Sequence, residues 1–207
     1  HFGMQSWTVW PDEAIRLHRA EAVAKYAELL KEDVDFYAFI QLLFYRQWEA
    51  LKEYAHEKGV LFIGDIPIYV PLDSADVWSE PEFFQLNEEN IPTEVSGVPP
   101  DAFTEDGQLW GNPLYDWDAM RADGYGWWLR RVDGARKLYD LIRIDHFRGF
   151  DSYWAVPYGD TTAKNGHWVP GPGMGLVGVL QSWFQDLKLI AEDLGYPTPG
   201  VRQLLQD

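Results

Sequence analysis

Three short apolar runs separated by helical stretches constrain this chain more than any other feature. They fall at residues 60–66, 141–144 and 189–191, lack a helical period, and so read as buried strands. Strands alternating with helices predict parallel βα units. The connections are long and loop-rich, which suits a decorated (β/α)8 barrel better than a compact doubly wound sheet. Three strands cannot close a barrel of eight. The expectation is an α/β architecture, a partial (β/α)8 TIM barrel with long loop insertions.

The spacing of apolar residues predicts helices over residues 12–31 and 34–58. The second puts Phe36, Ile40, Leu43, Trp48 and Leu51 on or near one face, and Gly59 is placed to end it. Residues 67–123 are rich in Pro, Gly and Asp and suggest one short helix near Glu82. Such a length is functional or disordered rather than passive, and its aromatics argue for order. A helix over 125–138, a loop over 157–175 and a helix over 176–187 follow. Thr198 then caps a last helix, with Pro199 in its first position.

Composition narrows the classes of function. A hydrophobic content of 46% supports a packed core. With 17 basic against 33 acidic residues the net charge is −16, which argues against nucleic acid or an anionic membrane as partner. There is no cysteine, and no apolar stretch of the roughly 18 residues a membrane span needs, so the expectation is a soluble, cytoplasmic protein. The chain carries 11 Trp, 11 Tyr and 11 Phe. Flat aromatic faces stack on pyranose rings, but aromatics also fill cores, and composition alone favours the core.

The chemistry lies at the strand tips. Asp145 follows the second run and Glu192 the third. In a barrel, active sites assemble at the C-terminal ends of strands. Neighbouring strands lie about 4.8 Å apart, so carboxylates at adjacent tips can reach the roughly 5–5.5 Å separation of retaining glycosidases. Arg143, two residues before Asp145, shares its strand face and would hold it ionised. Glu192 would need the opposite treatment to donate a proton, to which Asp193 could contribute by repulsion. The alternative is that Asp145 and Asp193 cap following helices. His146, taken by itself, reads as a structural histidine.

A series of segments, in order, resembles the signature regions of amylomaltases, the 4-alpha-glucanotransferases of glycoside hydrolase family seventy-seven. They are Gly-Asp-Ile-Pro-Ile-Tyr-Val (64–70) with Asp-Ser-Ala-Asp-Val-Trp (73–78), Gly-Val-Pro-Pro-Asp-Ala-Phe (97–103) with Gly-Gln-Leu-Trp-Gly-Asn-Pro-Leu-Tyr (107–115), Arg-Ile-Asp-His-Phe-Arg-Gly-Phe (143–150), and Ala-Glu-Asp-Leu-Gly (191–195). The resemblance implies retaining transfer of α-1,4-glucan, with Asp145 as nucleophile and Glu192 as general acid and then base. It further implies that Arg143, His146, Asp65, Trp110 and Asp101 bind substrate, with maltooligosaccharides as ligands and no cofactor or metal. Residues 1–207 would be the central part of the catalytic barrel, roughly strands three to five, with 67–123 as an inserted loop region over the active site. A third essential Asp, in a later His-Asp pair, has no counterpart here. The resemblance therefore implies truncation at both ends, an inactive or nearly inactive chain, and self-association through open barrel edges. An α-glucan hydrolase of the related amylase clan and a non-catalytic glucan-binding module remain as rival readings.

Overall fold

The computed structural model describes residues 1–192 and 198–205. Helices α1 (Glu13–Arg16), α2 (Ala20–Leu29) and α3 (Lys31–Glu57) lead into strand β1 (Ile63–Pro67). The chain continues through α4 (Ala75–Ser79), β2 (Glu94–Val98), β3 (Gln108–Pro113), α5 (Trp117–Ala122) and α6 (Gly126–Leu138). Then come β4 (Leu141–Asp145), β5 (Ser152–Pro157), β6 (His167–Pro170), α7 (Met174–Trp183), β7 (Leu189–Ala191) and α8 (Pro199–Leu204). The strands form two sheets: a parallel one in the order β1-β4-β7, and an antiparallel one in the order β3-β2-β5-β6.

The parallel βα units are as expected, but several boundaries are not. Residues 12–31 do not form a single helix. Asp12 caps α1 by accepting from the Ala14 N–H, and the chain then turns sharply at His18, whose φ is +51°, before α2 begins. α3 starts at Lys31, earlier than its apolar spacing predicts. Its end is legible in detail. Gly59 adopts φ +74°, its N–H donates to the His56 carbonyl, and the Val60 N–H donates to the Ala55 carbonyl, the paired bonds of a Schellman motif. Only part of the predicted apolar face is covered: Phe36, Ile40 and Leu51 are exposed. Trp48 is half-buried, donating from its indole to the Leu138 carbonyl at 2.9 Å and packing on Phe62.

The larger difference is the antiparallel sheet. Residues 67–123, expected to be mostly loop, contribute β2 and β3 as well as α4 and α5, and the 3-10 turn Pro81–Phe83 lies where a short helix was expected. Residues 157–175 contribute β6. α7 runs from Met174 and stops at Trp183, short of Leu187. α8 is capped as predicted, Thr198 accepting from the Val201 N–H.

The core decides which side of the parallel sheet is free. Ile142 and Ile144 of β4 are buried in the main apolar cluster with Trp128 and Val132 of α6 and Leu176 and Leu180 of α7. Gly64 of β1 lies directly against the Tyr139 ring, where a Cβ would clash, so the site demands glycine. Side chains alternate along a strand, so Leu141, Arg143 and Asp145 project to the other, open face. The register pairs Asp65 with Arg143 and Arg143 with Ile190, which aligns these three residues across the sheet on that face. Part of the aromatic content follows the core reading: Trp7, Trp117, Trp127 and Trp128 are all buried.

Asp140 fastens the N-terminal ends of these strands. It accepts from the Phe62 N–H at 2.8 Å and His56 Nε2 at 2.9 Å, and lies 3.5 Å from Lys52 Nζ. Burial pushes its pKa up, but the Phe62 hydrogen bond, His56 and Lys52 outweigh that and leave it below the usual carboxylate value. Asp140→Ala is expected to cost about 1–3 kcal/mol at pH 7, because it strips partners from a backbone N–H and two side chains. A depressed folded-state pKa stabilises above the unfolded value of about 4 and ceases to do so as pH falls through the folded value. Urea unfolding should therefore separate wild type from variant at pH 7 and bring them together once the pH has fallen through the lowered pKa of Asp140. An equal gap above and below that pKa would rule out this account.

Candidate active site

Arg143 organises the open face of the parallel sheet. Its guanidinium Nη1 lies 2.5 Å from Asp65 Oδ2 and 3.2 Å from Asp145 Oδ1, while Nη2 lies 2.8 Å from Glu192 Oε1. One planar cation thus bridges carboxylates from β1, from the end of β4 and from the residue after β7. The strands dictate this. Arg143 and Asp145 are two apart on β4, Asp65 is the register partner of Arg143, and Glu192 follows β7 with its N–H bound to the Ile144 carbonyl. The Asp65 hydrogen bond, ahead of the other two carboxylates, raises the already high pKa of Arg143, so the cation is permanent.

Glu192 is the least exposed of the three carboxylates, its side chain 16% exposed against 47% for Asp145. Its second oxygen, Oε2, accepts from the His146 N–H at 2.7 Å. Both oxygens of Glu192 are therefore engaged by the protein. The Asp145 side chain, by contrast, is engaged through Oδ1 alone among the described residues. Asp145 does not cap the short 3-10 turn Phe147–Phe150 that follows, since His146 occupies the cap position and no side chain bonds there. Asp193 lies outside the described residues.

His146 sits in the left-handed region at φ +54°, a conformation that non-glycine residues adopt at a cost of about 1–3 kcal/mol. Its ring meets the Trp110 ring edge-on, with centroids 4.7 Å apart. Burial, with the nearby Arg148 charge, pushes its pKa down to about 4, so the imidazole is neutral at pH 7. Trp110 stands on β3, is 37% exposed, and donates from its indole to Gln108. Asp101 is held within its own loop, its Oδ1 accepting from the N–H groups of Phe103 and Thr104, and these bonds lower its pKa.

These groups border one cleft of about 560 Å³, in which Asp145, His146 and Glu192 face Asp101 and Trp110. Asp65, also on the open face, reaches the site through Arg143. All the sequence-derived candidates thus gather at one end of the parallel sheet. The cleft can accommodate a neutral polyhydroxyl ligand between an acidic floor and an aromatic wall.

The profile of the 4-alpha-glucanotransferases of glycoside hydrolase family 77 matches residues 1–207. The chain belongs to this family. It is 51% identical over 198 residues to the 4-alpha-glucanotransferase of Clostridium butyricum, covering 95% of this chain and 40% of that protein. It is 47% identical over 200 residues to the 4-alpha-glucanotransferase of Aquifex aeolicus, covering 97% of this chain and 41% of that protein. In structure it is similar to the amylomaltase from Streptococcus agalactiae in complex with acarbose, with a TM-score of 0.94 and 44% identity, covering 100% of this chain and 42% of that one. This family member thus spans about 40% of the length of the relatives it matches.

Arg148 and Trp168 are among the residues of the family member's cleft that sequence reasoning did not single out. Arg148 belongs to the turn after Asp145, and Trp168 to β6, and both line the cleft. A signal for Arg148 existed in its place within the 143–150 segment. Trp168 offered none beyond being aromatic, because its surroundings read as loop. Among the described residues, no helix is long and apolar enough to cross a membrane.

Proposed function

We propose that this chain carries the nucleophile, the proton donor and part of the sugar-binding cleft of a retaining 4-α-glucanotransferase acting on α-1,4-glucan. The observation that carries the reading is the bridge from Arg143 to both Asp145 and Glu192 at the mouth of a tryptophan-walled cleft. Asp145 attacks the anomeric carbon of a bound glucan. The glycosidic C–O bond breaks, and the leaving glucan takes a proton from Glu192. The sugar is then held covalently on Asp145. Glu192, now a base, takes the proton of an acceptor hydroxyl, whose oxygen displaces Asp145 and restores the starting configuration. For Glu192 to take up the proton it later gives and to face the glycosidic oxygen, its contact with Arg143 or with the His146 N–H must give way. The loop from Val98 to Trp110 borders the cleft and would favour a sugar acceptor over water by excluding solvent.

The same reading makes β1, β4 and β7 staves of a (β/α)8 barrel, with residues 67–123 as an insertion over its catalytic end. The parallel order, the helices on one face and the acids at the strand tips support it. Three staves do not enclose a site. Turnover is accordingly assigned to a full-length protein, and the 207-residue chain alone is expected to be nearly inactive.

A chimaera tests both statements. These residues would replace the matching 40% of the Clostridium butyricum relative, and the purified product would be given maltotriose. Glucose together with longer oligomers is the expected outcome. Shorter sugars alone would favour a hydrolase. No products from a folded chimaera would favour a binding module and sink the catalytic reading. The isolated chain should yield little product under the same conditions, and turnover at the chimaera's rate would refute that part.

A further inference from the structure

We infer that Trp168, held in place by Arg148, is a second sugar-stacking platform of the cleft, facing the same ligand as the wall that Trp110 provides. The inference rests on the glucan reading above and deepens it.

Three observations converge on Trp168. It is 43% exposed although it lies on a strand of the antiparallel sheet, and it lines the cleft that Asp145 and Glu192 also line. It is not needed to hold that sheet together, because its cross-strand partner Trp154 does so. Trp154 donates from its indole to the Ala163 carbonyl at 2.9 Å and packs on the small cluster of Val95, Val156 and Ala163. The Trp168 ring is also fixed in two directions. It meets Trp154 at 5.2 Å with an interplanar angle of 70°, and the Arg148 guanidinium lies over it at 4.3 Å from its centroid.

Arg148 makes this more than a stray exposed ring. It is only 9% exposed and sits in the 3-10 turn that begins two residues after Asp145. The segment that presents the nucleophile therefore also clamps the platform. A cation over an indole is attracted by the ring quadrupole and restrains its tilt. An aromatic ring already restrained loses little freedom when a pyranose stacks on it, which is the preorganisation that favours binding. With Trp110 on β3 and Trp168 on β6, the cleft has aromatic groups from both outer strands of the antiparallel sheet. A ligand long enough to touch both is an oligosaccharide rather than a monosaccharide. Arg148 is thus a positioning residue, and Trp168 a length-discriminating one.

The experiment uses the 207-residue chain with maltoheptaose and maltose as probes. Isothermal titration calorimetry on wild type, Trp168→Ala and Trp168→Phe should give about tenfold weaker maltoheptaose binding for Ala, with most of the affinity kept by Phe and a much smaller change for maltose. Should the Ala variant fail to fold, the wild-type chain still decides the matter. Its Trp168 indole N–H resonance, identified by its loss in Trp168→Phe, should move as maltoheptaose is added. Wild-type binding with an unmoved Trp168 resonance, or with unaltered affinity in a folded Trp168→Ala, would overturn the platform but leave the glucan reading intact. No binding of maltoheptaose by the wild-type chain would overturn the platform, and the products of the chimaera decide the glucan reading separately.

Discussion

Asp145→Asn in the chimaera with the Clostridium butyricum relative is expected to lower the rate of maltotriose disproportionation by about 10⁴- to 10⁶-fold, the range seen when a covalent nucleophile is removed. The substitution is nearly isosteric. Among the described residues the Asp145 side chain pairs through Oδ1, 3.2 Å from Arg143, and the amide oxygen of asparagine can occupy that place. Stability and glucan affinity should therefore change little, and the loss should appear in kcat rather than KM. A rate loss of that shape still leaves open whether Asp145 attacks or merely stabilises charge. Asp145→Gly separates the two. It opens space where the carboxylate stood, and azide entering from that side would attack the anomeric carbon directly. Partial rescue giving a β-glucosyl azide from an α-linked donor identifies the lost group as the nucleophile, since one displacement inverts the centre. Activity of Asp145→Asn above about 1% of wild type would remove Asp145 from that role.

What could be read in the sequence was what neighbouring residues determine among themselves. The Schellman ending at Gly59, the Thr198 cap and the alternation of Ile142 and Ile144 with Arg143 are local events, and each has a local signature. The acids at the strand tips followed from the same logic, and so did the placing of Arg143 beside Asp145. The wider role of Arg143 did not. Its bonds to Asp65 and Glu192 depend on which strands are neighbours and on their register, and neither is encoded near residue 143. The antiparallel sheet was hidden for a related reason. β2 is buried along its three central residues and β3 has two consecutive exposed positions, so neither alternates, and glycine or proline interrupts both. Their pairing with β5 and β6 is a long-range event. Trp168 could not be assigned a role before that sheet was known. The exposed Phe36, Ile40 and Leu51 of α3 teach the complementary lesson, that periodicity reports a face capable of burial and does not say what covers it.

Arg143→Ala is the other change expected to be severe, and for an electrostatic reason. In the resting wild type one cation answers three carboxyl groups, and the variant leaves these three neighbours without it in a chain whose net charge is already −16. Two effects should follow. The chimaera should lose about 10²- to 10³-fold in rate, comparable to removing a preorganised donor from a site where charge develops. Arg143→Lys should recover little of it, because a single ammonium lacks the two separated nitrogens that hold Asp145 and Glu192 apart. The isolated chain should also be destabilised, but only slightly, since Arg143 and its partners are partly exposed and water screens their pairing. Salt then distinguishes repulsion from lost packing. Screening shortens from about 10 Å at 0.1 M to about 3 Å at 1 M, so added NaCl should restore part of the variant's stability, with a smaller gain or a loss in wild type. An Arg143→Ala chimaera within about threefold of wild-type activity would fall well short of a preorganised group's contribution. Together with a salt-independent stability gap, it would mean that the three carboxylates keep their positions and charges without this cation, and that the strand register alone builds the site.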